Sequence, residues 1–407
     1  MIVMGSVYRD AILQSPIRDL VGVAKKYENA GKKIYYFNIG DPIKFDFDAP
    51  EHVKRELALA AENKDSSNKK SAGYEQSQGN TSLIEAIIER ENKKNKIKLT
   101  EDDVLITMGE SEALLFLLLA LFKNKKYNEF DLPGPGYPPY IEWTKFIEKK
   151  PVSYKQDEEN KWNPDIEDLR KKINDRTGAI LVINPNNPTG GVYDKSILKE
   201  IGDIAGEHNK IIISDEIYDL LIFGDTRHVG LSSLSKDVPV IGLNGFSKNY
   251  LVPGYRVGYM FFHDPTREHT DLKELLFSMG RNRLSAVNPT MKACVAALTG
   301  PQDHIEETNR KLKERGEFAY KRLNEIEGIE TQKPKGAFYI FPKVDMEGRW
   351  KDDKEFCLDA LKNTGLVLPY GSGFDPVYGK DHFRSVILPP VETMEEAFSK
   401  LEEFMKK

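Results

Sequence analysis

The sequence predicts an α/β protein. It has a large domain with a mostly parallel sheet covered by helices on both sides, and a smaller α+β domain formed by both chain ends. Three observations predict this. Short β-branched runs end abruptly in polar or glycine residues. Helical patterns separate those runs. From about residue 290 the texture changes to a long charged helix pattern, short strands and a final helix. A chain of 407 residues, 40% hydrophobic and 30% charged, has apolar material for a sizeable core and a length that suggests two or three domains.

The runs VLITMGES (104–111), AILVINPNNPTG (179–190), IIISDEIY (211–218) and VIGLNGFSK (240–248) read as strands buried on both faces. PDIEDLRKKIN (164–174) reads as a helix with Asn163 as N-cap and Pro164 at its first position. SILKEIGDIAGEHN (196–209) places Ile197, Leu198, Ile201 and Ile204 near a 3.6-residue period. Strand alternating with helix argues for parallel pairing. In such sheets ligands sit beyond the carboxyl ends of the strands, so the four strand ends are read as one site. Later come a helix pattern over 304–326, the strand GAFYIFPKV (336–344), strand-like runs at 365–370 and 384–388, and a last helix over 393–406. Residues 1–45 carry too little apolar content to fold alone and are expected to pack on the small domain. The expected division is thus 1–45, 46–290 (large domain) and 291–407 (small domain). The polar segment 63–71 is expected to be a loop, and no internal repeat is present.

Composition excludes several functions. Lys and Arg number 59 against 64 Asp and Glu, a net charge of −5, which argues against a nucleic-acid partner. The runs KKNKIK (93–98) and KNKK (123–126) read as solvated helix ends or loops rather than a phosphate-backbone patch. Cys294 and Cys357 form no CxxC pair, so neither a disulfide framework nor a cysteine metal site is expected. The seven histidines form no HxxxH or HExxH, and no metal is expected. The longest apolar run, ALLFLLLALF (113–122), falls short of the ~20 residues that span a bilayer. MIVMGSVYRD at the start has no long apolar stretch, so a cytoplasmic protein without membrane contact is expected. GSG (371–373) is followed by Gly379 and fails the GxGxxG spacing, and there is no GxxxxGK[ST] or GxSxG. The sequon Asn80-Thr81-Ser82 is expected to be inert.

The strand ends carry chemistry. Gly109-Glu110-Ser111 opens a helix pattern, and a helix start offers free N–H groups to a phosphate; alone it is equally an ordinary strand–helix turn. NPNNPTG (184–190) places Asn187 where it can donate to an anion, or simply makes a turn. Asp215 directly follows a buried run, where a carboxylate needs a partner such as a protonated ring nitrogen; capping the next helix is the other reading. Tyr218 lies three residues on. Lys248 follows another buried run beside Ser247, with Arg256 eight residues later. A lysine near a second cation can act as a nucleophile on a carbonyl, and the guanidinium fork suits a phosphate dianion. Arg384, at the start of a strand in HFRSVILPP (382–390), is a clamp for a carboxylate or else a surface ion pair.

Together these residues resemble the pyridoxal-phosphate-dependent aminotransferases of the aspartate aminotransferase fold type (class I/II, PLP-dependent transferase fold type I). The ordered set NIGDP (38–42), a tyrosine segment before helix 82–90, NPNNPTG, SDEIY, SKxxxxPGxRxG and FR spans nearly the whole chain. The resemblance implies a homodimer with active sites at the subunit interface and pyridoxal 5'-phosphate as cofactor. It implies that Lys248 holds the cofactor aldehyde covalently and that Asp215 keeps the pyridine nitrogen protonated. Tyr218 and Asn187 then bond the ring's phenolic oxygen, and Tyr137 in PGPGYPPY stacks on the ring. Glu110 and Ser111 (through backbone N–H), Ser247 and Arg256 form the phosphate cup. Tyr74 in SAGYEQSQG reaches the other subunit's phosphate. Arg384 and Asn187 bind the substrate α-carboxylate, with the Gly40 backbone closing over it.

The implied activity is transfer of an amino group between an L-amino acid and a 2-oxo acid. Arg283 in GRNRLSAVNP aligns roughly with the side-chain-binding arginine of dicarboxylate-specific members. The stretch GYMFFHDP…RNRLSAVNPTMKA more closely resembles archaeal and eukaryal alanine aminotransferases, where an arginine here is structural. Alanine with 2-oxoglutarate, glutamate being shared, is therefore favoured over aspartate, aromatic or broad specificity. Two rivals stand beside it. One is a PLP-dependent C–S lyase or cyclising synthase of the same fold, which the core motifs do not exclude. The other is a PLP-binding transcription regulator, whose DNA-binding module has no room before Asn38.

Overall fold

The isoleucine and valine runs form the centre of an eight-stranded sheet. The computed structural model describes residues 13, 15–65, 70–346 and 348–407. The opening MIVMGSVYRD and residues 66–69 of the expected loop lie outside the described residues. In spatial order the strands are Val104–Thr107, Gly258–His263, Val240–Gly245, Ile211–Asp215, Thr177–Ile183, Glu129–Gly134, Lys150–Asp157 and Asn163–Pro164. Neighbours from Val240–Gly245 to Lys150–Asp157 pair in parallel. Gly258–His263 runs antiparallel between Val104–Thr107 and Val240–Gly245. The carboxyl ends of Val104–Thr107, Thr177–Ile183, Ile211–Asp215 and Val240–Gly245 thus meet on one edge, with the start of Gly258–His263 among them.

All residues of Thr177–Ile183 and Ile211–Asp215 are buried, yet the two-residue alternation of a strand still sorts them. Ala179, Leu181, Ile183, Ile211 and Ile213 pack with Leu114, Leu117 and Leu118 of helix Glu110–Leu121 on one face. Ile180, Val182 and Ile212 pack with Leu198, Ile201 and Ile204 of helix Lys195–Glu207 on the other. Each isoleucine, leucine or valine among them contributes about 1.5–3 kcal/mol through burial, so a charge at Ile201 would break this layer.

The strands Glu129–Gly134 and Lys150–Asp157 had no clear signal in the sequence. Their pattern is interrupted by Pro133, Pro151 and Lys155. The helix expected from Pro164 begins two residues later, at Ile166. Asp165 is its cap, accepting from the Asp168 amide, while Asn163–Pro164 pair antiparallel with the preceding strand. The expected strand 336–344 is two short ones: Tyr339–Ile340 pairs with Ser385–Val386, and Lys343–Val344 with Ile329–Glu330. Asn80 is buried and caps helix Thr81–Asn95.

The remaining core gathers Leu312 and Leu323 of helix Asp303–Asn324 and Phe398 and Leu401 of helix Val391–Met405. Tyr35 and Phe37 join it, and Tyr35–Tyr36 pairs in parallel with Leu366–Val367. Among the described residues no helix is long and apolar enough to cross a membrane.

Candidate active site

A cavity of about 450 Å³ opens at the sheet's carboxyl edge. Its lining includes Gly40, Glu110, Ser111, Tyr137, Asn187, Asp215, Tyr218, Ser247, Lys248, Arg256 and Arg384. Every residue that the resemblance assigned to cofactor or α-carboxylate binding is there except Tyr74, and Arg283 is also absent from the lining. The Tyr74 side chain stands 85% exposed, outside the cavity.

Each lining residue is held by its local structure. Gly109 caps helix Glu110–Leu121 with φ +70°, a left-handed value that favours glycine, and a Cβ there would press on the Arg256 guanidinium. The first N–H groups of that helix are thus open to the cavity, with the positive end of its dipole. Asp215 ends its strand but caps no helix: Oδ1 accepts from the Ile217 amide at 3.2 Å and Oδ2 from the Tyr140 hydroxyl at 3.0 Å. Burial, and the carboxylate of Glu216, raise its pKa, while the donors around it pull the other way. Lys248 donates to the Gly40 carbonyl at 2.9 Å. Burial, reinforced by Arg384 and Arg256, brings its pKa down to about 8 against the opposing pull of Asp41 and Glu110.

Arg384 is not a surface ion pair. It is 1% exposed, donates to Asn187 Oδ1 at 2.9 Å and to the Asn38 carbonyl, and leaves Nε without a partner. Its guanidinium lies 4.4 Å from the Tyr339 ring centroid. Among the described residues no carboxylate bonds it, and burial lowers its pKa. Tyr339 also meets the Tyr218 hydroxyl at 2.9 Å.

Sequence reasoning missed Tyr140, Tyr339 and the side chain of Glu110. Tyr140 lies three residues beyond Tyr137 at a proline-led helix start, a spacing that puts both on one face. Tyr339 is hidden in an apolar strand pattern with no local mark. Arg283 bonds Glu112 at 2.7 Å and the carbonyls of Ser77 and Ile106 and lies outside the cavity lining. Within this chain it braces structure.

A second charged cluster sits behind the same turn. Arg90 bonds both oxygens of Asp219 (2.9 and 2.7 Å), and Lys94 bonds Glu216 and Asp219 at 2.7 Å each. Asn249, next to Lys248, donates to Asp219 Oδ1 at 2.7 Å. Glu216, Asp219 and His228 have ligand atoms within 4.8 Å of one another, but the Lys94 ammonium already bonds both carboxylates. The run 93–98 is therefore not merely solvated: Lys94 has 20% of its side chain exposed and is tied into this cluster.

Comparison with known proteins decides the family. The family described as "Aminotransferase class I and II" matches residues 38–401. The chain belongs to the class I and II aminotransferases. It is 35% identical to glutamate-pyruvate aminotransferase AlaA of Escherichia coli over 99% of this chain and 98% of that one. It is also 35% identical to an alanine aminotransferase of Mycobacterium bovis, over 94% of this chain and 88% of that one. Among solved structures it resembles an alanine aminotransferase from Pyrococcus furiosus, with a TM-score of 0.93 and 48% identity over 99% and 100% of the two chains.

This aminotransferase is a pyridoxal-phosphate-dependent enzyme that moves an amino group between an L-amino acid and a 2-oxo acid. The cavity fits that cofactor. Arg256 and Ser247 line the cavity beside the start of helix Glu110–Leu121, and the missing Cβ of Gly109 lets the guanidinium close on that helix start, as a phosphate needs. A buried carboxylate, Asp215, suits a cationic ring nitrogen, and an amine brought to about 8 suits an aldehyde. The unpartnered Nε of Arg384 leaves a donor for a substrate carboxylate.

Proposed function

We propose that the enzyme exchanges amino groups between alanine and 2-oxoglutarate, with glutamate as the shared partner, and acts as a homodimer. The observation that carries the reading is that one cavity holds an amine, a buried acid, a phosphate cradle and a buried arginine with a free donor. The names of the relatives in E. coli, M. bovis and P. furiosus favour alanine and glutamate. Ile17, Ile39 and Trp143 make part of the lining apolar, which suits a methyl side chain. Arg18 lines the same cavity and offers the cation that a second carboxylate needs.

When bound, pyridoxal phosphate supplies an electron sink for the pair released at the substrate Cα. The protein's residues do the rest. Ser247, Arg256 and the N–H groups of Glu110 and Ser111 hold the phosphate. Asp215 accepts a hydrogen bond from the ring nitrogen and keeps a proton there. Tyr218 and Asn187 bond the phenolic oxygen, and Tyr137 packs on the ring. Arg384 and Asn187 grip the α-carboxylate under the Gly40 backbone, which fixes the Cα–H bond for cleavage. Lys248 would anchor the cofactor and, as a free amine, would take the proton from the substrate Cα; an amine near 8 is partly neutral at neutral pH, as a base must be.

Tyr74 sits on a loop braced by Asn288, which donates to the Gly73 carbonyl at 3.1 Å, near exposed Leu284 and Val287. That apolar, outward-facing patch supports a dimer in which Tyr74 completes the partner's phosphate site. The pairing of Tyr35–Tyr36 with Leu366–Val367 supports a small domain built from 1–45 and 291–407 beside the large domain 46–290. The test is a panel of amino donors and 2-oxo acid acceptors with pyridoxal phosphate present. Highest kcat/KM for alanine with 2-oxoglutarate supports the reading. Preference for aspartate or aromatic donors overturns the substrate, and steady 2-oxo acid release without an acceptor points to a C–S lyase or synthase.

A further inference from the structure

Glu110 enters the phosphate cradle through its backbone, and the chemistry above leaves its side chain unused. That side chain does not turn to solvent. Oε1 is closed off and has no hydrogen-bond donor facing it. The carboxyl lines the cavity with Asp215 and lies within hydrogen-bonding reach of Asp215 and of Tyr140. The Tyr140 hydroxyl is already given to Asp215 Oδ2 at 3.0 Å. Two carboxyl groups are therefore juxtaposed in a cavity wall with one tyrosine proton donor beside them. Two buried carboxylates this close repel, and a single shared proton both removes a charge and supplies the missing hydrogen bond.

We propose that Glu110 is a positioning residue which stays neutral and donates its carboxyl proton to Asp215, so that Asp215 alone bears the negative charge offered to the cofactor's ring nitrogen. The proposal rests on the role given to Asp215 under the proposed function. Geometry selects Glu110 as the proton's owner. Asp215 already receives the Ile217 amide and the Tyr140 hydroxyl, which stabilise its anion, whereas Oε1 of Glu110 receives nothing. The ionisable groups facing the Glu110 carboxyl agree: burial and Asp215 push its pKa well up, and the opposing pull of Lys248 and Tyr140 does not reverse that. Tyr137 is the other titratable group close enough to interact with it. Without this donor, Asp215 in its buried place takes up a proton itself and must lose it before it can receive the ring N–H.

The experiment measures pyridoxal phosphate affinity of the apoprotein by absorbance titration across neutral pH, for wild type, Glu110→Ala, Glu110→Gln and Asp215→Ala. Glu110→Ala is expected to bind about tenfold more weakly at neutral pH, the change that loss of one hydrogen bond to a charged group produces. That deficit shrinks as pH rises and Asp215 gives up its proton. Glu110→Gln keeps a donor and restores affinity to within about threefold. Infrared difference spectra of wild type against Glu110→Gln should show the C=O stretch of a protonated carboxyl lost. Glu110→Ala equal to wild type, Glu110→Gln no better than Glu110→Ala, or loss of carboxylate bands only, overturns the proposal. Should Glu110→Ala fail to fold, the infrared difference of the isosteric Glu110→Gln still decides. If Asp215→Ala binds the cofactor as wild type does, it is the role of Asp215 that fails.

Discussion

The turn Asp215–Asp219 has two faces of opposite character. On the side that looks into the cavity stand Asp215 and Tyr218; on the reverse stand Glu216 and Asp219. Behind the turn every oxygen of Glu91, Glu216 and Asp219 has a partner, drawn from Arg90, Lys94, Asn95, Asn249, Ser214 and Tyr259. Burial alone would lower the pKa of Lys94, but Asp219, Glu216 and Glu91 outweigh it and raise it; burial would raise Asp219, but Arg90 and Lys94 hold it well below the usual carboxylate range. In front, Glu110 Oε1 and Arg384 Nε are left unmatched, and Lys248 is pushed toward neutrality. Both faces are buried and charged, so burial does not separate structure from function here. Pairing of charge does: behind the turn carboxylates and cations bond one another, whereas in front Arg384 and Lys248 bond only an amide oxygen and backbone carbonyls among the described residues.

That contrast can be tested in order of effect. Lys248→Ala should lower turnover by at least about 10³-fold, the scale of a lost general base, and borohydride should no longer fix cofactor to the protein. Asp219→Ala strands two cations and should cost about 3–5 kcal/mol in urea denaturation. Asp215→Asn, on the other face, should change stability by no more than about 1 kcal/mol, because the bonds it weakens are offset by the removal of a buried charge. Equal costs for the two would erase the distinction. Arg384→Leu should raise KM for amino acids about 10²-fold, as loss of charge-assisted bonds to a carboxylate predicts, with a smaller change in kcat. Tyr74→Phe should weaken cofactor retention about tenfold while leaving urea denaturation unchanged; unaltered retention would remove the role proposed for it across a dimer.

The smallest effect is a matter of pH. The Lys248 amine must be neutral to attack an aldehyde, and its folded pKa of about 8 lies below the ordinary lysine value. Cofactor capture by the apoprotein should therefore speed up with rising pH and level off above about 8. The same shift makes this group's contribution to stability more favourable as pH rises from 8 toward 10.5, because the unfolded lysine keeps its proton there and the folded one does not. A capture rate independent of pH between about 6 and 9, a range that brackets that pKa, would contradict the assignment of a depressed amine.

Much of the fold and the site was legible because strand ends announce themselves. Asp215 and Lys248 each follow an apolar run, and Asn187 sits in a proline-rich turn after another. What stayed hidden depends on partners far away in the chain. Lys94 looked like one cation in a solvated run, and its carboxylate lies 125 residues on, at Asp219. Tyr218 and Tyr339 meet across 121 residues, and Arg384 finds Asn187 across 197. Strands with prolines and lysines in them, such as Lys150–Asp157, gave no two-residue alternation to read. The direction of the Glu110 side chain was also illegible, since a helix start reveals its N–H groups but not where its first carboxyl turns.

The bond from Lys248 to the Gly40 carbonyl, with that from Arg384 to the Asn38 carbonyl, has a consequence for biosynthesis. The reactive amine is latched by a segment made early, and that segment is stitched to residues made late, at 366–367 and 384. A ribosome must deliver nearly the whole polypeptide before the amine acquires its setting. Nascent chains halted short of Arg384 should therefore carry an ordinary surface-like lysine at 248, unable to mature into the holoenzyme until translation passes that point.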